Sequence, residues 1–165
     1  MRLSFLTAFA LLAGVPLLAG PAQAQTATDI FTVRIQITAE CLINSTTTLN
    51  FGASGVLSSA TTGTSEITVQ CTNGTTYNVG LNEGLGIGAT VASRRMTGPG
   101  SATVTYSLYS DVAHTTVWGQ TIGTDTVSGT GTGASQVYTV YGQVPAQSTP
   151  AAGTYSDTIT VTVTY

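Results

Sequence analysis

Residues 155–165 read Tyr-Ser-Asp-Thr-Ile-Thr-Val-Thr-Val-Thr-Tyr. Ile159, Val161, Val163 and Tyr165 occupy every second position, with Thr158, Thr160, Thr162 and Thr164 between them. A period of two in β-branched residues places one face of an extended chain in a core and the other in water. The stretch is expected as one β-strand running to Tyr165, with no residue to cover its outer edge. A long Ile/Val/Thr edge is an aggregation hazard unless another strand pairs with it.

Working outward, the same alternation recurs. Phe31, Val33, Ile35 and Ile37 alternate with Thr32, Arg34, Gln36 and Thr38. Ile67, Val69 and Cys71 face one way, and Tyr77, Val79 and Leu81 follow the Asn73-Gly74 turn signal. Val104, Tyr106 and Leu108 form another inward set. Val137, Thr139 and Tyr141 interleave with Tyr138 and Val140, as expected of a strand buried on both faces. Roughly six or seven strands separated by turn signals, without helical periodicity, is the pattern of an all-β sandwich. Residues 84–88 (GLGIG) and 128–135 (SGTGTGAS) read as loops, and no repeat occurs at a solenoid period.

The other end of the chain reads as an export signal over residues 1–24. Arg2 supplies a positive start, residues 3–18 are an apolar run broken by Pro16, and Ala22-Gln23-Ala24 is a small-residue cleavage site. Gly14, Pro16, Gly20 and Pro21 make the run a poor spanning helix. Cleavage leaves about 140 residues, the size of one domain, acting outside the cytoplasm.

Charge narrows the partners. Without Arg2, three arginines (Arg34, Arg94, Arg95) stand against seven carboxylates, and lysine is absent. A chain with a net charge of about −4 cannot neutralise many phosphates, so no nucleic acid is expected as a partner. The lack of lysine also removes Lys–Asn isopeptide crosslinking. Cys41 and Cys71 are the two cysteines, and in an exported chain they read as one disulfide.

Reactive groups do not converge. His114 is the single histidine, the seven carboxylates are scattered, and Gly63-Thr64-Ser65-Glu66 lacks the second glycine of a nucleophile elbow. No enzyme, cofactor or metal is expected. GLGIG lacks the strand–helix setting of a phosphate-binding loop. Asn44-Ser45-Thr46 and Asn73-Gly74-Thr75 match the glycosylation sequon but read as turns. Arg94-Arg95-Met96 is the most concentrated charge; it could grip a carboxylate of a partner subunit, but reads first as a solvated loop end. Trp118 reads as a packing residue rather than a sugar shelf; Tyr109, Tyr138 and Tyr141 complete the only set able to form such a platform.

The strand over residues 28–38 has two readings on pattern alone. It is either the first strand of a self-contained sandwich, or a strand that buries its apolar face in a neighbour. Two complementary edges on one molecule permit head-to-tail filaments.

Longer phrases carry a resemblance. They are Leu49-Asn50-Phe51-Gly52, Val69-Gln70-Cys71-Thr72-Asn73-Gly74 with Tyr77-Asn78-Val79, and Arg94-Arg95-Met96. Val104-Thr105-Tyr106-Ser107-Leu108-Tyr109, Val117-Trp118-Gly119, Tyr141-Gly142-Gln143-Val144-Pro145 and Ala152-Gly153-Thr154-Tyr155-Ser156-Asp157-Thr158-Ile159 follow in order. In these phrases the chain resembles the spore coat protein U family, whose members include subunits of archaic chaperone–usher pili.

The resemblance implies an incomplete immunoglobulin-like β-sandwich over residues 38–165, preceded by an N-terminal donor strand over residues 25–37. Phe31, Val33 and Ile35 would fill pockets of an acceptor groove, with Ile37 at the transition into the body. Ile159, Val161, Val163 and Tyr165 would line one wall of that groove. The implied function is a pilus subunit polymerising by donor-strand exchange and supporting adhesion and biofilm formation. Its implied partners are a periplasmic chaperone, an outer-membrane usher and other subunits, and its implied location is the cell surface. A secreted spore-coat or matrix protein exported by the same route is the alternative. Thr164 stands next to last, where many classical pilins carry an aromatic, and the lack of room for a second domain points to a shaft or minor subunit.

Overall fold

The computed structural model describes residues 20, 21 and 23–165. The export-signal reading covers residues 1–24, of which residues 1–19 and 22 lie outside the described residues. The chain divides into two units, Met1–Ile35 and Gln36–Tyr165. In the first, the described residues form no helix or strand. Its apolar side chains Ile30, Phe31, Val33 and Ile35 are 94%, 88%, 83% and 83% exposed.

The second unit is a β-sandwich of eight strands. They are β1 (Cys41–Thr46), β2 (Thr61–Cys71), β3 (Thr76–Leu81), β4 (Arg94–Thr97), β5 (Thr103–Tyr109), β6 (Val127–Thr130), β7 (Ser135–Val144) and β8 (Val161–Thr164). One sheet has the order β1-β2-β7-β5-β4 and the other β6-β3-β8, and the ladders between neighbouring strands are antiparallel. A single 3-10 turn, Pro99–Ser101, joins β4 to β5.

The core follows from alternation. Ile67, Val69 and Cys71 of β2, Tyr77, Val79 and Leu81 of β3, and Val104, Tyr106 and Leu108 of β5 are all buried. These nine positions match the inward sets expected from the sequence. Trp118 is buried between the sheets and donates its indole N–H to the Val79 carbonyl at 2.8 Å. Buried indole needs such a partner, because an unpaired N–H in a core costs its full desolvation. The Cys41–Cys71 disulfide joins directly opposed residues at the ends of β1 and β2.

Four local expectations are corrected. Residues 155–165 are not one strand: the ladder covers only Val161–Thr164. Before it, Ser156 bridges to Thr97, and Asp157 turns inward to accept bonds from the Tyr106 hydroxyl and the Leu85 N–H. These attachments pull the backbone off the β3 ladder. The glycine-rich stretch at 128–135 is not all loop, since Val127–Thr130 pairs with β3. Val137 is 57% exposed, so β7 is not buried on both faces there. Asn44 lies in β1 at a register shift, its amide donating to the Gln70 side chain, rather than in a turn.

Candidate functional site

β2 shows where the sandwich is open. From Ser65 to Cys71 every second residue is buried, but inward-facing Thr61 and Gly63 are only half-buried. The facing sheet is short, and over this part of β2 no strand covers the core. The opening lies between two free edges. Among the described residues β1 pairs only with β2, and β8 only with β3.

The resulting cleft comprises two adjoining cavities of about 480 Å³ and about 620 Å³ that share Leu49, Asn50, Phe51, Met96 and Tyr155. Ile67, Leu81, Leu108 and Val140 from both sheets line the first, and Thr61, Val104 and Val144 line the second. One wall is residues 46–51, where the chain leaves the β2 ladder after the Thr47 N–H bonds the Glu66 carbonyl at 2.9 Å. The other wall is residues 155–159 and Val161. Thr46 ends β1 and Val161 begins β8, and the wall residues beyond them belong to no named strand. An entering strand would find apolar pockets and main-chain partners.

Two glycines shape the floor. Gly63 and Gly142 oppose each other in the β2–β7 ladder. A Cβ on Gly142 would stand 2.7 Å from Leu49 Cδ1 and 3.0 Å from Phe51 Cζ. A Cβ on Gly63 would stand 3.0 Å from the Asn50 carbonyl oxygen. Bare backbone at this pair lets residues 49–51 lie close against the sheet. Glycine inside a strand is the sequence signal that marks such an approach.

The polar groups of the cleft are held from within. Asp157 accepts from the Tyr106 hydroxyl at 2.7 Å and from the N–H groups of Leu85 and Thr158 at 2.8 Å each. Burial, reinforced by this bond, pushes the Tyr106 hydroxyl well above the usual tyrosine value. The Ser65 hydroxyl donates to the Thr47 carbonyl. These groups are spent on positioning the walls and are not arranged around a reacting atom.

Arg94 corrects the sequence reading most sharply. It is fully buried rather than a solvated loop end. Its guanidinium donates to the carbonyls of Asn82 (2.8 Å), Val91 (2.7 Å), Leu81 (3.0 Å) and Trp118 (2.7 Å). Burial lowers its pKa from the ordinary value. A guanidinium nevertheless stays charged in a protein, and its forked donors suit several carbonyls at once.

His114, in a left-handed conformation at φ 55°, stands edge-on to Tyr109 and Tyr141 at 5.3 and 6.4 Å. No group of three or more metal-ligating side chains occurs among the described residues. Of the platform set, Trp118 is buried and Tyr138 bonds the Tyr77 hydroxyl at 2.6 Å, so both are packing residues.

Among the expected groove residues, Ile159 and Val161 line the cleft. Val163 packs half-buried against the core opposite Val79, and Tyr165, 58% exposed, is outside the lining. Phe31, Val33, Ile35 and Ile37 are exposed and belong to no ladder. The sequence reading missed Leu49, Phe51, Met96 and Tyr155 as cleft residues, because Leu49 and Phe51 lie outside any strand, Met96 sits in the four-residue β4 and Tyr155 precedes β8.

Comparison with known proteins agrees with this architecture. The chain is 36% identical over 159 residues to Protein U of Myxococcus xanthus, covering 88% of each chain. Its fold matches a chain in the crystal structure of the CsuC–CsuE chaperone–tip adhesion subunit pre-assembly complex from archaic chaperone–usher Csu pili of Acinetobacter baumannii. That match has a TM-score of 0.57 at 25% identity and covers 78% of this chain. The chain spans 40% of that solved chain's length. The Spore Coat Protein U domain matches residues 27–162, and the chain belongs to this family.

Proposed function

We propose that the protein is a structural subunit of an extracellular pilus, assembled by donor-strand exchange along the chaperone–usher route. The open cleft between the free edges of β1 and β8 is the observation that carries this reading. Residues 25–37 are the donor. Phe31, Val33 and Ile35 supply apolar side chains at the two-residue spacing a cleft beside a strand edge accepts, and Ile37 leads into the body. Burying each is worth about 1.5–3 kcal/mol before the cost of ordering the segment.

A periplasmic chaperone would hold the cleft closed until an outer-membrane usher directs exchange with the next subunit. The likeness to a chain of a chaperone–pilus subunit complex supports the first of these partners. The fibre would then support adhesion and biofilm formation at the cell surface. An export signal over residues 1–24 would start that route. Wall residues Ile159 and Val161 would contact the donor directly, with Val163 and Tyr165 extending the same edge. No catalytic step is assigned.

The test is Phe31→Asp and Val33→Asp in the full chain. Both variants should reach the periplasm in normal amount and form no fibres. Normal fibres from either would sink the donor assignment. The family description favours one second reading, a secreted spore-coat or matrix protein using the same export route. Electron microscopy of surface material separates them: thin filaments support the pilus, and an amorphous layer supports the coat.

A further inference from the structure

The residues that join the N-terminal segment to the body are held in one conformation. The Glu40 N–H donates to the Thr72 hydroxyl at 3.1 Å, and that hydroxyl donates to the Thr38 carbonyl at 3.1 Å. The Thr72 N–H donates to the Glu40 carbonyl at 2.9 Å, and the disulfide closes the next position. Residues 38–41 are thereby clipped to the end of β2, as a continuation of β1 away from the cleft.

We propose that this clip makes the segment a donor to a second copy of the chain and prevents it from filling its own cleft. The inference rests on the donor-strand reading above. Its basis is reach. With residues 38–40 held, the chain can reverse no later than Gln36 and Ile37. The tightest reversal is a two-residue hairpin. It sets Ile35 opposite Thr38, Val33 opposite Glu40 and Phe31 opposite Leu42.

The cleft lining on the β1 side begins at Thr46. Phe31 would therefore stop four residues short, about 13 Å at roughly 3.3 Å per residue. Any looser loop falls shorter still. In the tight hairpin only Ala27 and earlier residues reach the cleft, and residues 25–29 (Gln-Thr-Ala-Thr-Asp) carry no large apolar side chain. Such a folded-back segment would also run parallel to the residues leading into β8, because Ser156 bridges antiparallel to β4, which the sheet order makes parallel to β1. A segment from a second copy has no such tether and can enter with all three apolar residues in register.

The experiment compares the purified mature full-length chain with a variant carrying about ten Gly/Ser residues inserted between Gln36 and Ile37. Hydrogen exchange is followed at residues 31–35 in the monomer fraction, with and without added peptide 25–37. A short flexible tether gives an effective concentration near millimolar, far above micromolar subunit. The lengthened chain should protect residues 31–35 in the monomer and lose polymer at least ten-fold, while the natural monomer leaves them unprotected. Protection in the natural monomer would overturn the inference and leave the donor-strand reading standing. So would a lengthened chain that stays unprotected and polymerises normally while the peptide binds. A peptide that binds neither chain, with no protection anywhere, would remove the donor-strand reading and this inference with it.

Discussion

Replacing Arg94 by methionine tests how this sandwich holds together without a second layer over its cleft. Methionine keeps the length of the side chain and removes every donor. Four carbonyls, from the end of β3 (Leu81), the loop that follows it (Asn82, Val91) and Trp118, lose a hydrogen bond of 2.7–3.0 Å. Bonds to a charged group are worth about 1.5–3 kcal/mol each. Their sum overstates the loss, because removing the guanidinium also removes the cost of burying its charge. Each buried carbonyl left without a partner costs about 1–3 kcal/mol, and relief of the buried charge offsets part of the four, for a net loss of about 3–5 kcal/mol. Against a total stability of about 5–15 kcal/mol, that is a large fraction.

With a urea m-value of about 2 kcal/mol/M, the midpoint should fall by about 1.5–2.5 M in equilibrium unfolding followed by Trp118 fluorescence. Arg94→Lys should fall by less, since an ammonium offers three donors and no planar fork. A midpoint for Arg94→Met within about 0.3 M of wild type would refute the reasoning. It would mean that water reaches these carbonyls, and that the arginine is not what ties the three segments together.

Two further outcomes follow from the structure. Cys41→Ser with Cys71→Ser opens a loop with a sequence separation of 30 residues and should cost about 3–4 kcal/mol on the chain-entropy estimate, read from the same unfolding curves. The second concerns Asp111. Its carboxyl is held below the usual carboxylate range, chiefly by the Thr116 N–H, with the Thr115 hydroxyl and N–H adding to it. A lowered folded pKa means that its contribution is complete above the ordinary aspartate value and is lost as pH falls through the folded value. Carbon NMR should show this carboxyl titrating below the ordinary aspartate value, and Asp111→Asn should remove the acid sensitivity of the 110–117 loop. An ordinary titration would contradict the loop geometry.

How much was legible in the sequence differs by element. Alternation over Ile67–Cys71, Tyr77–Leu81 and Val104–Leu108 gave buried strand faces correctly, because each period is a local property of an extended chain. The pairing of Cys41 with Cys71 needed only their count and compartment. The 155–165 stretch shows the limit. It was expected as one strand of eleven residues, yet only Val161–Thr164 joins a ladder, because Asp157 is captured by Tyr106 and Leu85 from distant segments.

Sequence by itself therefore determined the all-β class, the inward residues of β2, β3 and β5 and the apolar periodicity of residues 31–37, all set by neighbours along the chain. Only the tertiary structure decided that Arg94 is buried. A charged side chain enters a core when enough carbonyls converge on it, and here they come from positions 81, 82, 91 and 118. It also decided where the cleft lies. An opening is the space left when a five-stranded and a three-stranded sheet of unequal reach are packed together, and no single segment encodes that difference.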